Sequence, residues 1–180
     1  MQMMLRNTEY LGYLRERQAS TSVGASTARG MGPRGTIHAA RTFLGKLQIE
    51  RFHKQSEAEF LAELDKATNE LKVSLPKGAQ TWGSTRKFLN IFLRGCAYNK
   101  YLSAHHKLQL IQAWLEVPLD SHVAKGLKQI AGRGKLPRWP GVIHLQSKDS
   151  ALFQNFAAEV ARIDGVNKVD LDVKFWRRVS

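Results

Sequence analysis

Residues 84–102 constrain the fold more than any other stretch of the chain. Phe88, Leu89, Ile91, Phe92, Leu93, Cys96, Ala97, Tyr98 and Leu102 cover most of the circumference of a helix drawn through it. A helix that is apolar nearly all round is a central, buried one, so other elements must surround it. One stripe stays polar: Lys87, Asn90 and Arg94, spaced three and four apart. On a buried helix such a stripe faces a cleft, a partner or an edge of solvent.

The flanking sequence supplies the surrounding helices. Ile37, Ala40, Phe43, Leu44 and Leu47 recur at three- and four-residue spacing, on one helical face. Ser56 and Glu59 form a capping-box pattern that opens a helix carrying Phe60, Leu61, Leu64, Ala67 and Leu71, stopped by Pro76 and Gly78. Further helices are predicted over residues 6–17, 104–115, 121–131 and 149–163. The tail, 168–179, alternates through Val169, Leu171, Val173 and Phe175, a pattern that allows a short strand or an extended arm. The reading is an all-α fold, an orthogonal multi-helix domain. Residues 1–35 form an N-terminal helix and a Ser/Gly-rich loop, and residues 36–180 a single helical domain. In the loop, 19–35, Arg29 and Arg34 sit among glycines, as phosphate contacts or as parts of a flexible linker. Residues 132–141 form a basic, turn-rich connector with Arg133, Lys135 and Arg138.

Charge narrows the partner. Lys and Arg total 28 against 15 Asp and Glu, a net charge of +13, which attracts polyanions and releases counterions at each phosphate contacted. No apolar run approaches the 18 residues or so of a membrane span. The first 17 residues contain Glu9 and Glu16 and no signal-peptide core, so an intracellular place, cytoplasmic or nucleoid-associated, is expected. The single cysteine, Cys96, excludes an internal disulfide, a four-cysteine zinc site and a four-cysteine iron–sulfur cluster, and fits a reducing compartment. Within the apolar helix it reads as core filler. Nucleic acid, most readily duplex DNA, is the expected partner, with no obligatory protein partner and no cofactor implied.

Two turns could carry chemistry. Trp82-Gly83-Ser84-Thr85-Arg86-Lys87 runs into the central helix and combines a glycine, a helix start and two cations. Free amides at a helix start bind anions. Pro118-Leu119-Asp120-Ser121-His122-Val123-Ala124-Lys125 places a carboxylate at another helix start, where Asp is also a favoured cap.

Together these stretches resemble the helix-hairpin-helix DNA glycosylase superfamily, over about a quarter of the chain. There a Gly-x-Gly-Arg-Lys hairpin grips the DNA backbone, and a Val-Asp-Thr-His-Val segment carries a catalytic aspartate. Residues 83–87 match the first with Thr85 in place of the second glycine, and residues 119–123 match the second. The resemblance implies a candidate hairpin at 76–102 and an active-site helix start at 118–131. It makes Lys87 the amine nucleophile of a bifunctional glycosylase and Asp120 its carboxylate, with Gly83, Ser84, Thr85, Arg86, His122 and Lys125 against DNA. Arg29, Arg34, Arg94, Arg133 and Lys135 are added from charge. Lys87 and Asp120 lie further apart in sequence than in the family, which implies an inserted helix at 104–115. The implied activity is removal of a modified or damaged base flipped from the duplex, with or without lyase action.

Other features read as structural. His105 and His106 are adjacent and should diverge on a helix, which argues against a metal site. Asp170 and Asp172 would share a face if extended, and pairing with Lys168 or Arg177 is the simpler expectation. Trp114, Trp139 and Trp176 could stack bases, though packing explains each. Two further functions fit the charge: a non-catalytic helical DNA-binding protein, such as a regulator or recombinase accessory domain, and an RNA-associated basic protein.

Overall fold

Eight α-helices organise residues 2–176, the part of the chain that the computed structural model describes, with side chains described for residues 8–175. They are α1 (Gln2–Ser22), α2 (Thr36–Lys46), α3 (Glu57–Ser74), α4 (Trp82–Tyr98), α5 (Lys100–His105), α6 (Ser121–Ala131), α7 (Ser147–Asp164) and α8 (Leu171–Trp176). Short 3-10 turns connect several of them, and no strand occurs among the described residues. The fold is all-α, as the periodicity predicts. No described helix is long and apolar enough to cross a membrane.

Helix α4 is central. Phe88, Leu89, Phe92 and Cys96 are fully buried, and α1, α3 and the Val142–His144 turn pack around it. Each phenylalanine so buried contributes about 1.5–3 kcal/mol relative to exposure. Burial pushes the Cys96 thiol pKa up, so this residue is inert core. At α3 the Ser56 Oγ accepts from the Glu59 amide at 3.3 Å, while the Glu59 carboxylate accepts from the Gln55 amide at 3.0 Å.

The apolar side chains gather into two cores. One spans α1 to α5 and the turns up to Leu115, and includes Leu44, Phe52, Phe60, Leu64, Phe88 and Phe92. The other is built from Val117, Leu127, Phe153, Ala157, Leu171 and Phe175. Trp82, at the start of α4, packs against the second core, and Val142 against the first. The two lobes are thus tied together where α4 begins.

Four expectations change. The N-terminal helix reaches Ser22, and Leu11, Ala19, Val23 and Met31 are buried in the first core; Arg41 Nε donates to the Val23 carbonyl at 2.8 Å. This segment is therefore integral to the fold. Asn99 interrupts the long apolar helix, because its side chain caps α5 by accepting from the amides of Tyr101 and Leu102. The helix expected at 104–115 is replaced by the end of α5, a left-handed Lys107 (φ 47°) and the 3-10 turns Leu108–Leu110 and Gln112–Trp114. Leu108, Ile111 and Leu115 are buried all the same, since 3-10 turns also bring a three-residue repeat to one side.

The tail is helical. Asn167 and Asp170 form a capping box on the Lys168–Asp170 turn, which leads into α8. Val173 is 64% exposed while Val169, Leu171 and Phe175 are buried; a strand would have put all four on one face. Arg177, Val179 and the Trp176 side chain lie outside the described residues.

Candidate active site

The first turn of α4 is closed. Gly83, Ser84 and Thr85 are helical and buried, so the phosphate-gripping hairpin loop expected there is absent. Thr85 Oγ1 donates to the Thr81 carbonyl at 2.7 Å, and Thr81 Oγ1 donates to Ser84 Oγ at 2.8 Å. Glycine at 83 serves packing: a Cβ there would lie 2.1 Å from the Val142 carbonyl oxygen and 2.8 Å from Leu145 Cβ. It lets the second lobe approach the α4 backbone.

Arg86 is likewise not a phosphate contact. It is 4% exposed and its guanidinium is spent on protein groups. Nε and Nη2 donate to the two Glu116 oxygens at 2.8 and 3.0 Å, and Nη1 donates to Asp65 and Thr68 at 2.8 and 2.9 Å. The guanidinium also lies over the Trp82 ring, 5.2 Å from its centroid. Asn90, expected in the polar stripe, turns inward and donates to Glu116 at 2.9 Å. Burial alone would push the Glu116 carboxyl up, but the Arg86 charge and these hydrogen bonds hold it below the usual carboxylate range. Glu116 carried no signal in the sequence, because the partner that explains it lies 30 positions away.

Lys87 points the other way. Its Nζ lies 4.0 Å from Asp120 Oδ2 and donates a long 3.5 Å hydrogen bond to the Thr27 carbonyl. The residue is 9% exposed, and burial lowers its pKa from the ordinary lysine value, outweighing the opposing pull of Asp120. Asp120 divides its two oxygens. Oδ1 caps α6 by accepting from the amides of His122 and Val123 at 2.9 and 3.0 Å; Oδ2 is the one that approaches Lys87. Capping and facing the lysine are compatible in one carboxylate.

Both residues line a cleft of about 950 Å³. Lys87, Ile91 and Arg94 form its α4 wall, Thr27, Arg29 and Met31 come from the segment after α1, and Ser121 and His122 from the start of α6. Trp139 closes another side and stands edge-on to Phe153 with ring centroids 5.5 Å apart, so it both packs and faces the cleft. Asp172 of α8 reaches the cleft as an ion-pair partner of Arg94. Helix α8 can lie close to α6 because Gly126 leaves room for the Phe175 ring, 2.2 Å from where a Cβ would be.

Among the other expected contacts, Arg29 and His122 are exposed at the cleft, and Arg94 is inside it, paired. Arg34, Lys125, Arg133 and Lys135 are exposed but do not line it. Asp170 and Asp172 do not act as a pair: Asp170 accepts from the Tyr98 hydroxyl at 2.6 Å, and Lys168 approaches Glu57 instead, at 4.0 Å. Trp114 packs against Phe60 at 6.1 Å. His105 and His106 do not diverge, since His106 lies past the end of α5; their rings meet edge-on at 4.7 Å, with Glu50 beside them. Ile91, a core residue by its spacing, lines the cleft, and Asp172 and Thr27 carry no local signal as cleft residues. No protein-family model, curated protein or solved structure matches the chain.

Proposed function

We propose that the protein is a DNA glycosylase with lyase activity, in which Lys87 is the nucleophile and Asp120 its partner carboxylate. One observation carries the reading. Two residues 33 positions apart, singled out by different motifs, come within 4.0 Å of each other in a cleft large enough for a flipped nucleotide. The burial that lowers the Lys87 pKa favours the neutral amine that nucleophilic attack requires. The chain's charge of +13 suits a polyanionic substrate.

In this reading the Lys87 nitrogen attacks the sugar anomeric carbon. The glycosidic bond breaks, and the base leaves with the bonding pair and takes up a proton. Opening of the sugar ring gives a protonated imine between the sugar and Lys87. Loss of a proton from the adjacent sugar carbon then expels the 3′ phosphate, and water releases the lysine. Asp120 Oδ2 accepts the lysine's proton before attack and stabilises positive charge on the sugar as the base departs. Its Oδ1 stays on the helix amides and holds the carboxylate in place.

Borohydride trapping on duplex DNA containing an abasic site tests this without knowledge of the base. The wild type is expected to form a covalent complex that Lys87→Ala loses and Asp120→Asn forms much more slowly. Equal trapping by all three proteins, or by none, removes Lys87 as the nucleophile. The readings that remain are a monofunctional glycosylase with Asp120 activating water and, given the exposed Arg29, Arg133 and Lys135, a non-catalytic DNA-binding protein. Asp120→Asn abolishes base removal by the first and leaves duplex binding by the second unchanged.

A further inference from the structure

We propose that Glu50, His105 and His106 form a binding site for one divalent transition-metal ion of the zinc class. The ion would clip the Ile49–Phe52 turn to the end of α5. None of the three residues lines the cleft of Lys87 and Asp120, so the proposal does not rest on the glycosylase reading.

The fold brings these donors together from separate stretches. Glu50 lies on the 3-10 turn Ile49–Phe52, His105 is the last residue of α5, and His106 caps that helix with φ −91° and ψ 10°. Leaving the helix at His106 is what turns two adjacent imidazoles toward one point. One donor atom from each residue lies within 4.8 Å of the other two. Tetrahedral zinc, with bonds of about 2.0–2.1 Å, sets its donors roughly 3.4 Å apart. Small rotations of the two exposed side chains, Glu50 and His105, close that difference, while His106 stays fixed.

A second observation concerns His106 itself. It is 5% exposed, and its backbone carbonyl accepts a hydrogen bond from the His53 ring, which anchors it. Glu50 Oε1 sits 2.8 Å from His106 Nδ1 as an ion-pair partner, and no other group reaches this buried nitrogen. Its one partner is an exposed carboxylate, so the nitrogen and the carboxylate already face one point from a buried and a solvent-open side. A metal ion bound between the imidazoles and the carboxylate would replace this single contact with three donors.

The donor set also indicates the ion. Two imidazoles and one carboxylate suit zinc, cobalt or nickel; calcium and magnesium require more oxygen donors. With one carboxylate in a chain of charge +13, binding must come from the nitrogen donors and not from the general field. Three protein ligands leave a fourth position for water.

The test uses the full chain without an affinity tag, stripped with chelator and titrated with zinc chloride by calorimetry. Cobalt(II) absorption reports the coordination geometry. One equivalent is expected to bind, and zinc at about a hundred times its Kd should raise the unfolding midpoint by about 5–10 °C. His105→Ala and Glu50→Gln change exposed side chains, should fold normally, and should each weaken binding about tenfold or more. His144→Ala, outside the cluster, should bind as the wild type does. Absence of a one-equivalent site, or a site that survives both cluster substitutions unchanged, overturns the proposal.

Discussion

The first turns of α4 and α6 meet at Lys87 and Asp120, but they are built on opposite principles. In α4 the turn is sealed: Gly83 is packed under the Val142 carbonyl, and the Arg86 charge is neutralised by Glu116 and Asp65. In α6 the turn is open, with Ser121 and His122 exposed and the cap supplied by a carboxylate that has one oxygen to spare. The contrast is sharpest between the neighbours Arg86 and Lys87. One has a bidentate carboxylate partner; the other has a partner at 4.0 Å and a long bond to a carbonyl. A fully compensated charge is structure. An incompletely compensated, buried one is available for chemistry.

The largest expected effect lies on the sealed side. Glu116→Gln removes the buried partner of Arg86 and leaves it only the half-exposed Asp65, and should destabilise the fold by up to about 3 kcal/mol, read from urea unfolding. A loss under about 1 kcal/mol would mean that Arg86 swings to solvent, reviving its reading as a phosphate contact. Next comes Gly83→Ala, whose methyl group meets backbone and not a movable side-chain tip. It should cost about 1–3 kcal/mol by overpacking. Unchanged stability with weakened DNA binding would instead favour the hairpin role.

On the open side the effects on stability are smaller and the effects on chemistry larger. Asp120→Ala loses the cap and should cost about 1 kcal/mol, whereas Asp120→Asn keeps a capping oxygen and should cost only a few tenths. If both lose the same stability, the cap is not what Oδ1 provides.

The pH dependence follows from Lys87. Its pKa is lowered in the folded chain, with burial as the main cause, so between that value and the ordinary lysine value the unfolded chain binds more protons. Stability therefore rises with pH through this window, and Lys87→Met should remove the increment. The trapping rate should rise with the neutral amine and level off below pH ~10.4. In Asp120→Asn the residual rate should level off at lower pH, because the charge that raises the Lys87 pKa is gone. A midpoint at the ordinary lysine value, or a shift upward, would count against the nucleophile.

Much of the fold was legible along the chain. The central helix, the Ser56 cap and the Asp120 cap are local signals that occur, although the helix stops at Tyr98 and Glu59 reaches back to the Gln55 amide. The 104–115 helix and an extended tail, strand or arm, do not form, because those spacings suit more than one conformation and neighbours decide between them. The candidate site was legible in part. Lys87 and Asp120 stood out as motif residues, but Gly83, Ser84, Thr85 and Arg86 looked equally functional. Nothing local tells a glycine that admits phosphate from one that admits a packed carbonyl.

By itself, then, the sequence determined that the chain is helical, which helix is central, and where the carboxylate cap stands. These depend on periodicity and on hydrogen bonds spanning a few residues. Only the tertiary structure decided that Arg86 would be consumed by Glu116 while Lys87 would face Asp120, and that His105 and His106 would converge on Glu50. Charge compensation is set by distance in space, and the partner of each of these groups arrives from a different part of the chain.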